Sequence, residues 1–287
     1  PGEKIQIAGI VNEGFGNNIL KASIKIKLDE NSYITEAIDG KFSFDLELPK
    51  TIKSGNNAIE ITASDAKGNT GSSSIELAIT PVPSYIKTEL SAESINPGQR
   101  IDIMSSLYDQ ADDLINVSLE LELVAPSGSK VFNKIADSNQ KIDYEFSQYA
   151  EPGTYTLTSS FRNIVTQSSV TLHQIKGVNI KYNNQTVLIE NIGNVLFEDQ
   201  LTFIIENELN KYPITKDIKV EPGKILSIDL SKEVPSGVYD IIVQIKEGVQ
   251  PAIEKFNETF ASIAQAAQEG LSGILPDKSV IAKDVAI

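Results

Sequence analysis

Residues able to do chemistry are sparse in this 287-residue chain, and their types and spacing limit what they can do. There is one histidine, His173, and no cysteine. A lone imidazole cannot build a multi-histidine metal site, and a hydrolytic triad would need a nucleophile and a carboxylate beside it, which its sequence neighbours do not suggest. Without Cys there is no disulfide, no thiol nucleophile and no Cys-based zinc site. Two carboxylates suffice for glycoside hydrolysis. Such clefts are usually lined by aromatics, however, and this chain has no Trp and sets most Tyr and Phe in alternating apolar runs. The expectation is a chain that is not an enzyme and carries no organic cofactor.

Oxygen ligands for calcium are the remaining inorganic chemistry. Asp29 with Asn31, the cluster Asp109, Asp112 and Asp113, and Asp65 with Asn69 have close enough spacing, although none follows an EF-hand loop. The same residue types are ordinary turn formers, so structural calcium and plain turns are both open readings. Asn116-Val-Ser, Asn184-Gln-Thr and Asn257-Glu-Thr have the form of glycosylation acceptors. Chance supplies about three such triplets in a chain this rich in Asn, Ser and Thr. Asn184, in a turn between strands, is the best placed.

The formal net charge is −14, from 39 acidic and 25 basic residues. That balance disfavours phosphate backbones and anionic lipid headgroups as partners, so no nucleic acid is expected. No apolar run approaches about 18 residues, so no membrane insertion is expected within this chain. The lack of Cys favours a prokaryotic surface over a eukaryotic ectodomain, which would normally carry disulfide bridges. Pro1 in place of an initiator Met suggests a processed or trimmed piece of a longer product.

The elements that position these residues announce themselves by period-two alternation. Ile24, Ile26 and Leu28 alternate with Ser and Lys, and Phe42, Phe44, Leu46 and Leu48 alternate with Lys, Ser, Asp and Glu. This is the pattern of strands with one buried face. Asp39-Gly40 has the chemistry of a tight hairpin turn, which predicts a hairpin of 33–38 with 41–48. Runs through Ile101/Ile103, Ile115/Val117/Leu119/Leu121/Leu123, Ile142/Tyr144/Phe146 and Tyr155/Leu157 repeat the pattern, and so do Val178/Ile180, Val187/Ile189, Leu201/Phe203/Ile205, Ile218/Val220 and Tyr239/Ile241/Val243. Many short strands at roughly ten-residue spacing predict an all-β chain of tandem sandwiches.

An internal repeat sets the boundaries. Pro1-Gly-Glu-Lys-Ile-Gln-Ile7 recurs as Pro97-Gly-Gln-Arg-Ile-Asp-Ile103, with Pro222-Gly-Lys-Ile-Leu-Ser-Ile228 as a looser third copy. Together with the proline-stiffened linker Thr80-Pro-Val-Pro-Ser84, this predicts sandwiches over 1–80, 84–173 and 174–247. After Gly248, Ile253, Phe256, Phe260, Ile263 and Ala267 fall at steps of three and four, predicting a helix in a tail over 248–287 whose apolar stripe either packs on its own domain or forms a self-associating seam. In the second sandwich a strand over 85–94 precedes the Pro-Gly turn, whereas the first begins at the turn itself. The strand-like end of the chain, with Val280, Val285 and Ile287, is then a candidate to supply the absent strand to a neighbouring copy by β-augmentation.

Gly55-Asn-Asn-Ala-Ile-Glu-Ile-Thr-Ala-Ser-Asp-Ala-Lys-Gly-Asn-Thr70 resembles the closing hairpin of bacterial immunoglobulin-like modules of the glucodextranase-B-like type, a likeness extending over most of 3–79. Ile189-Glu-Asn-Ile-Gly-Asn-Val195, Pro222-Gly and Pro235-Ser-Gly-Val-Tyr239 resemble the cell-adhesion-related domains of bacteria and archaea, over about 178–246. Gly153-Thr-Tyr155 is similar to the last of these, and Tyr155 is open to two readings, a tyrosine corner or a plain core residue. The resemblance implies tandem immunoglobulin-like β-sandwiches, to which the period after Gly248 adds a short C-terminal helical tail, in a structural component of a prokaryotic cell surface such as a surface-layer, pilus-like or stalk protein. Self-association or other surface proteins are the implied partners. A ligand-binding adhesin and accessory modules of a larger secreted hydrolase are the alternatives.

Overall fold

The computed structural model describes residues 1–13, 20–183, 185–244, 250–252 and 279–286. All strands and no helix are found among them, so the described chain is all-β. None of its segments is a helix long and apolar enough to cross a membrane.

The first sandwich contains β1 (Lys4–Ile10), β2 (Lys21–Leu28), β3 (Asn31–Ile38), β4 (Lys41–Glu47), β5 (Gly55–Asp65) and β6 (Thr70–Ile79). Hydrogen bonding follows the order β1-β4-β3-β2-β5-β6. β3 and β4 share only the pair Ile38 and Lys41, so the sheet folds at that corner into two layers. The expected 33–48 hairpin is therefore corrected. Asp39 and Gly40 do take positive φ, 51° and 73°, but the strands then part. Phe42, Leu46 and Leu48 of β4 and its exit must face Ile24, Ile26 and Leu28 of β2, and they can do so only from the opposite layer. The last three are fully buried, each contributing about 1.5–3 kcal/mol relative to exposure.

The second sandwich contains β7 (Pro83–Leu90), β8 (Ser94–Ile95), β9 (Arg100–Asp109), β10 (Leu114–Ile115), β11 (Ser118–Val124), β12 (Lys130–Asp137), β13 (Lys141–Glu145), β14 (Gly153–Phe161) and β15 (Ile164–Leu172). β9 is flanked by β7 on one side and by β13 and β10 on the other. The facing sheet runs β12-β11-β14-β15-β8. This is an immunoglobulin-like arrangement with a first strand that changes sheets: β7 lies antiparallel on β9, and β8 lies parallel on β15. Two predicted strands are thereby divided. The segment 85–94 splits between the layers, and the apolar run 115–123 breaks at Asn116, with Ile115 paired to Leu107 of β9 and Leu119 paired to Ala136 of β12. Alternation continues across both breaks because both pieces bury residues in one core, so periodicity alone does not reveal them.

The third sandwich contains β16 (Gly177–Asn183), β17 (Thr186–Asn191), β18 (Phe197–Glu206), β19 (Lys211–Val220), β20 (Ile225–Asp229), β21 (Val238–Gln244), β22 (Gln250–Ala252) and β23 (Ser279–Ala286). Its sheets run β20-β17-β16-β22 and β19-β18-β21-β23. β23 pairs antiparallel with β21 of its own chain. The strand holding Val280 and Val285 is thus the closing strand of the third sandwich, which corrects the expectation that it is donated to a neighbour. Ile287, and the predicted helix with Ile253, Phe256, Phe260 and Ile263, lie outside the described residues.

The sequence repeat is a structural repeat in two of its three copies. Gly2 and Gly98 have φ of 73° and 77°. Lys4 pairs with Glu47, and Arg100 pairs with Glu145. Leu48 N–H donates to the Glu3 carbonyl as Phe146 N–H donates to that of Gln99. The third copy is corrected: Pro222-Gly223 turns the chain into β20, a strand at a different place in the sandwich. Its φ of 70° at Gly223 shows the same turn chemistry reached in another context.

Candidate functional site: the two joints between sandwiches

Most candidate ligand residues are turn residues in the structure. Asp29, with φ of 52°, begins the two-residue turn that Leu28 and Asn31 close between β2 and β3. Asp65 Oδ1 accepts N–H bonds from Lys67 and Asn69 at 2.8 and 2.9 Å, and Oδ2 accepts from Asn69 Nδ2 at 2.7 Å. The Asn69 side chain and these N–H groups hold the Asp65 carboxyl below its ordinary pKa. Among the described residues no three His, Asp or Glu side chains gather to hold a metal ion. Asn116 is exposed, just ahead of β11. Asn184 and Asn257 lie outside the described residues.

Asp109 repeats the Asp65 turn and adds a second duty. Its Oδ1 accepts from Ala111 and Asp113 N–H at 2.8 and 2.9 Å. Its Oδ2 accepts a 2.7 Å bond from the Ser54 hydroxyl of the first sandwich. Burial pushes its pKa up, but the Ser54 hydroxyl and the two N–H groups outweigh that and leave it below the ordinary carboxylate value. Gln110 works beside it: Nε2 donates to the Ile52 carbonyl of the first sandwich at 2.8 Å, while Oε1 accepts from Val82 N–H of the linker at 2.7 Å. Two adjacent residues of one turn therefore hold a loop of the preceding sandwich and the linker itself. Asp112 and Asp113 shape that turn, Asp112 with φ of 63° and its Oδ1 accepting from Tyr85 at 3.1 Å.

The second joint is built from the Asn191-Ile-Gly-Asn194 turn. Asn191 is fully buried and donates to the Val195 and Val220 carbonyls, both at 2.8 Å, while accepting from Gly193 N–H. This fixes the turn. Asn194 then reaches out of its sandwich. Its Nδ2 donates to the Ala150 carbonyl of the second sandwich and to the His173 carbonyl of the connection, each at 3.0 Å, and its Oδ1 accepts from Ile175 N–H at 2.7 Å. One carboxamide thus binds two sandwiches and the chain between them. Gly193 is required because a Cβ there would meet the Ile175 carbonyl oxygen at 2.2 Å. On the same joint, Tyr149 of the second sandwich lies against Gly223, where a Cβ would come within 2.9 Å of the ring.

His173 is exposed, and it enters this joint only through its backbone. The joint residues Gln110, Ser54 and Asn194 were not singled out as contacts by sequence reasoning. Asn194 was visible only as part of a turn, and nothing local to it signals that its amide crosses to another sandwich.

No protein family matches the chain, and no curated protein does. Solved structures similar to it include a tetra-tandem repeat from the extending region of a large adhesion protein, 13% identical, covering 78% of this chain and 62% of that one, with a TM-score of 0.33. A structure from a 1.5-MDa bacterial ice-binding adhesin is 12% identical, covering 87% and 89%, at 0.29. The amphioxus IgVJ-C2 molecule is 14% identical, covering 59% and 96%, at 0.28. The chain thus spans under two thirds of the first of these. At such scores the immunoglobulin-like assignment rests on strand order in the chain itself.

Proposed function

We propose that the chain is a non-catalytic structural component of a prokaryotic cell surface, whose immunoglobulin-like sandwiches act as spacers held at set angles by their joints. The observation that supports this reading is Asn194, only 4% exposed, with all three of its side-chain bonds directed to the second sandwich and the connection. A flexible string of modules has no use for a buried amide of this kind, because three hydrogen-bonding groups would lose their partners each time the joint opened. The Ser54–Asp109 and Gln110–Ile52 contacts support the same role at the first joint. A surface-layer, pilus-like or stalk protein is the class of extracellular structure that such a spacer suits, with other surface proteins or further copies as partners.

The absence of native cysteine makes the test direct. Spin labels on engineered cysteines in exposed strand positions of neighbouring sandwiches report the distance between them. A narrow distribution for each pair, broadened by Asn194→Ala at the second joint, is expected. A broad distribution in the unaltered joints would overturn the spacer reading.

A further inference from the structure

The first sandwich has an open strand position that the second sandwich fills. Superimposing their shared register makes β1 the counterpart of β9, β5 that of β14 and β6 that of β15, with Ile7 matching Ile103 and Ile59 matching Leu157. In the second sandwich β7 covers the far edge of β9, and β8 pairs with β15. In the first, among the described residues, β1 pairs with β4 alone and β6 with β5 alone. Nothing among the described residues lies in the place of β7 and β8.

Burial shows the consequence. Ile101 and Ile103 of β9 are fully buried, whereas Ile5 is only partly buried. Along β6, Gly71, Ser73 and Ile75 pair with Ala63, Ile61 and Ile59, so their inward face is the core face. Yet all three are exposed, Ile75 to 43%. Their counterparts Ile164, Thr166 and Ser168 on β15 are half-buried. An edge with no strand partner among the described residues, beside a core face left uncovered at Ile75, is a template for one more strand.

We propose that this position takes an extended polypeptide strand, apolar at alternate residues, that runs antiparallel along β1, crosses to lie parallel with β6 and joins Pro1 as Ser94–Asn96 joins Pro97. Continuity of geometry identifies this occupant. The Pro1-Gly2 turn has the same φ as the Pro97-Gly98 turn, and in the second sandwich the chain entering that turn is the strand in question. β7 itself begins only four residues after β6 ends, so the segment that leaves one sandwich becomes the first strand of the next. The register is specified: a residue seven places before Pro1 meets Ile7, as Leu90 meets Ile103. This inference stands apart from the spacer reading, which concerns the joints.

The test grafts a second copy of residues 83–96 directly onto Pro1 of the full chain, where tethering supplies a high effective concentration. Hydrogen exchange is then followed across Lys4–Ile10 and Thr70–Ile79. At least a tenfold slowing in both strands is expected, and it should disappear when Ile86→Asp and Leu90→Asp are introduced in the grafted copy alone. No slowing, or equal slowing with the Asp pair, would overturn the proposal. Protection of Lys4–Ile10 that rises with protein concentration in the unextended chain would overturn it too, because it would place a second copy's strand in the position.

Discussion

The Ser54 hydroxyl lies 2.7 Å from Asp109 Oδ2, across 55 residues of sequence and between two sandwiches. Asp109 is almost wholly buried, and its carboxyl is held below the ordinary value near 3.9. A group whose folded pKa is depressed contributes stability that is fully present above its unfolded pKa and is lost as pH falls through the folded one. The first joint should therefore hold at neutral pH and loosen below about pH 4. Distances between labels in the first and second sandwiches should broaden on acidification. Asp109→Asn keeps the acceptor oxygen for the turn but cannot titrate, so its distances should be the same at pH 7 and pH 3; broadening equal to that of the unaltered protein would refute the assignment.

At the second joint, Asn194→Ala removes three hydrogen bonds and leaves the Ile175 N–H and two carbonyls without partners. A loss of about 2–3 kcal/mol is expected in denaturant unfolding of the third sandwich or its joint. Asn194→Asp, the same size, should be at least as harmful, since a carboxylate would face the Ala150 and His173 carbonyls that now accept from an amide. If Asp were tolerated better than Ala, the role given to Nδ2 would be wrong.

Much of the fold was legible in the sequence, and the joints were not, for a physical reason. Alternation such as Ile24/Ile26/Leu28 and turn pairs such as Asp39-Gly40 are local, set by side-chain direction and backbone angle over a few residues. The repeat at Pro1 and Pro97 carried over into equal register because the same local chemistry starts the same strand. Which layer a strand joins is nonlocal. Residues 85–94 and 115–123 read as single strands, yet each crosses between sheets, and both halves remain apolar on the same core. Asp109 and Asn194 looked like turn residues, and they are; their second function depends on Ser54 and Ala150, which no local pattern ties to them.

Tyr155 and Tyr239 provide matched tests of one device. Each hydroxyl donates to a carbonyl four residues upstream, Tyr155 to Glu151 at 2.8 Å and Tyr239 to Pro235 at 2.9 Å, so both are tyrosine corners. Asn57 occupies the matching place in the first sandwich and donates to the Lys53 carbonyl at 2.9 Å. Tyr155→Phe and Tyr239→Phe should each cost about 1 kcal/mol, the worth of one part-buried hydrogen bond. Because they lie in different cores, the double variant should show the sum, within about 0.5 kcal/mol. Unfolding midpoints of the single and double variants decide it.

At Arg162 two small terms oppose each other. It turns the chain between β14 and β15 with φ of 54°, a left-handed conformation that costs an L-residue with a Cβ roughly 1 kcal/mol. Its guanidinium lies 5.0 Å from the Phe161 ring centroid, an exposed contact worth about 0.5–1 kcal/mol. Arg162→Gly removes both terms, and glycine also loses more backbone freedom on folding, so its net effect should be close to zero. Arg162→Asn relieves strain, because Asn tolerates the left-handed region, and forgoes the ring contact without glycine's added backbone freedom. Both variants therefore weigh strain against contact, and Asn does so free of glycine's backbone term. If strain dominates, both should match or exceed the unaltered protein in melting temperature; if the contact dominates, both should melt lower by a few degrees. With the Arg162 side chain exposed, we expect strain to dominate, and a decrease in both variants would show the cation–π contact to be the stronger term.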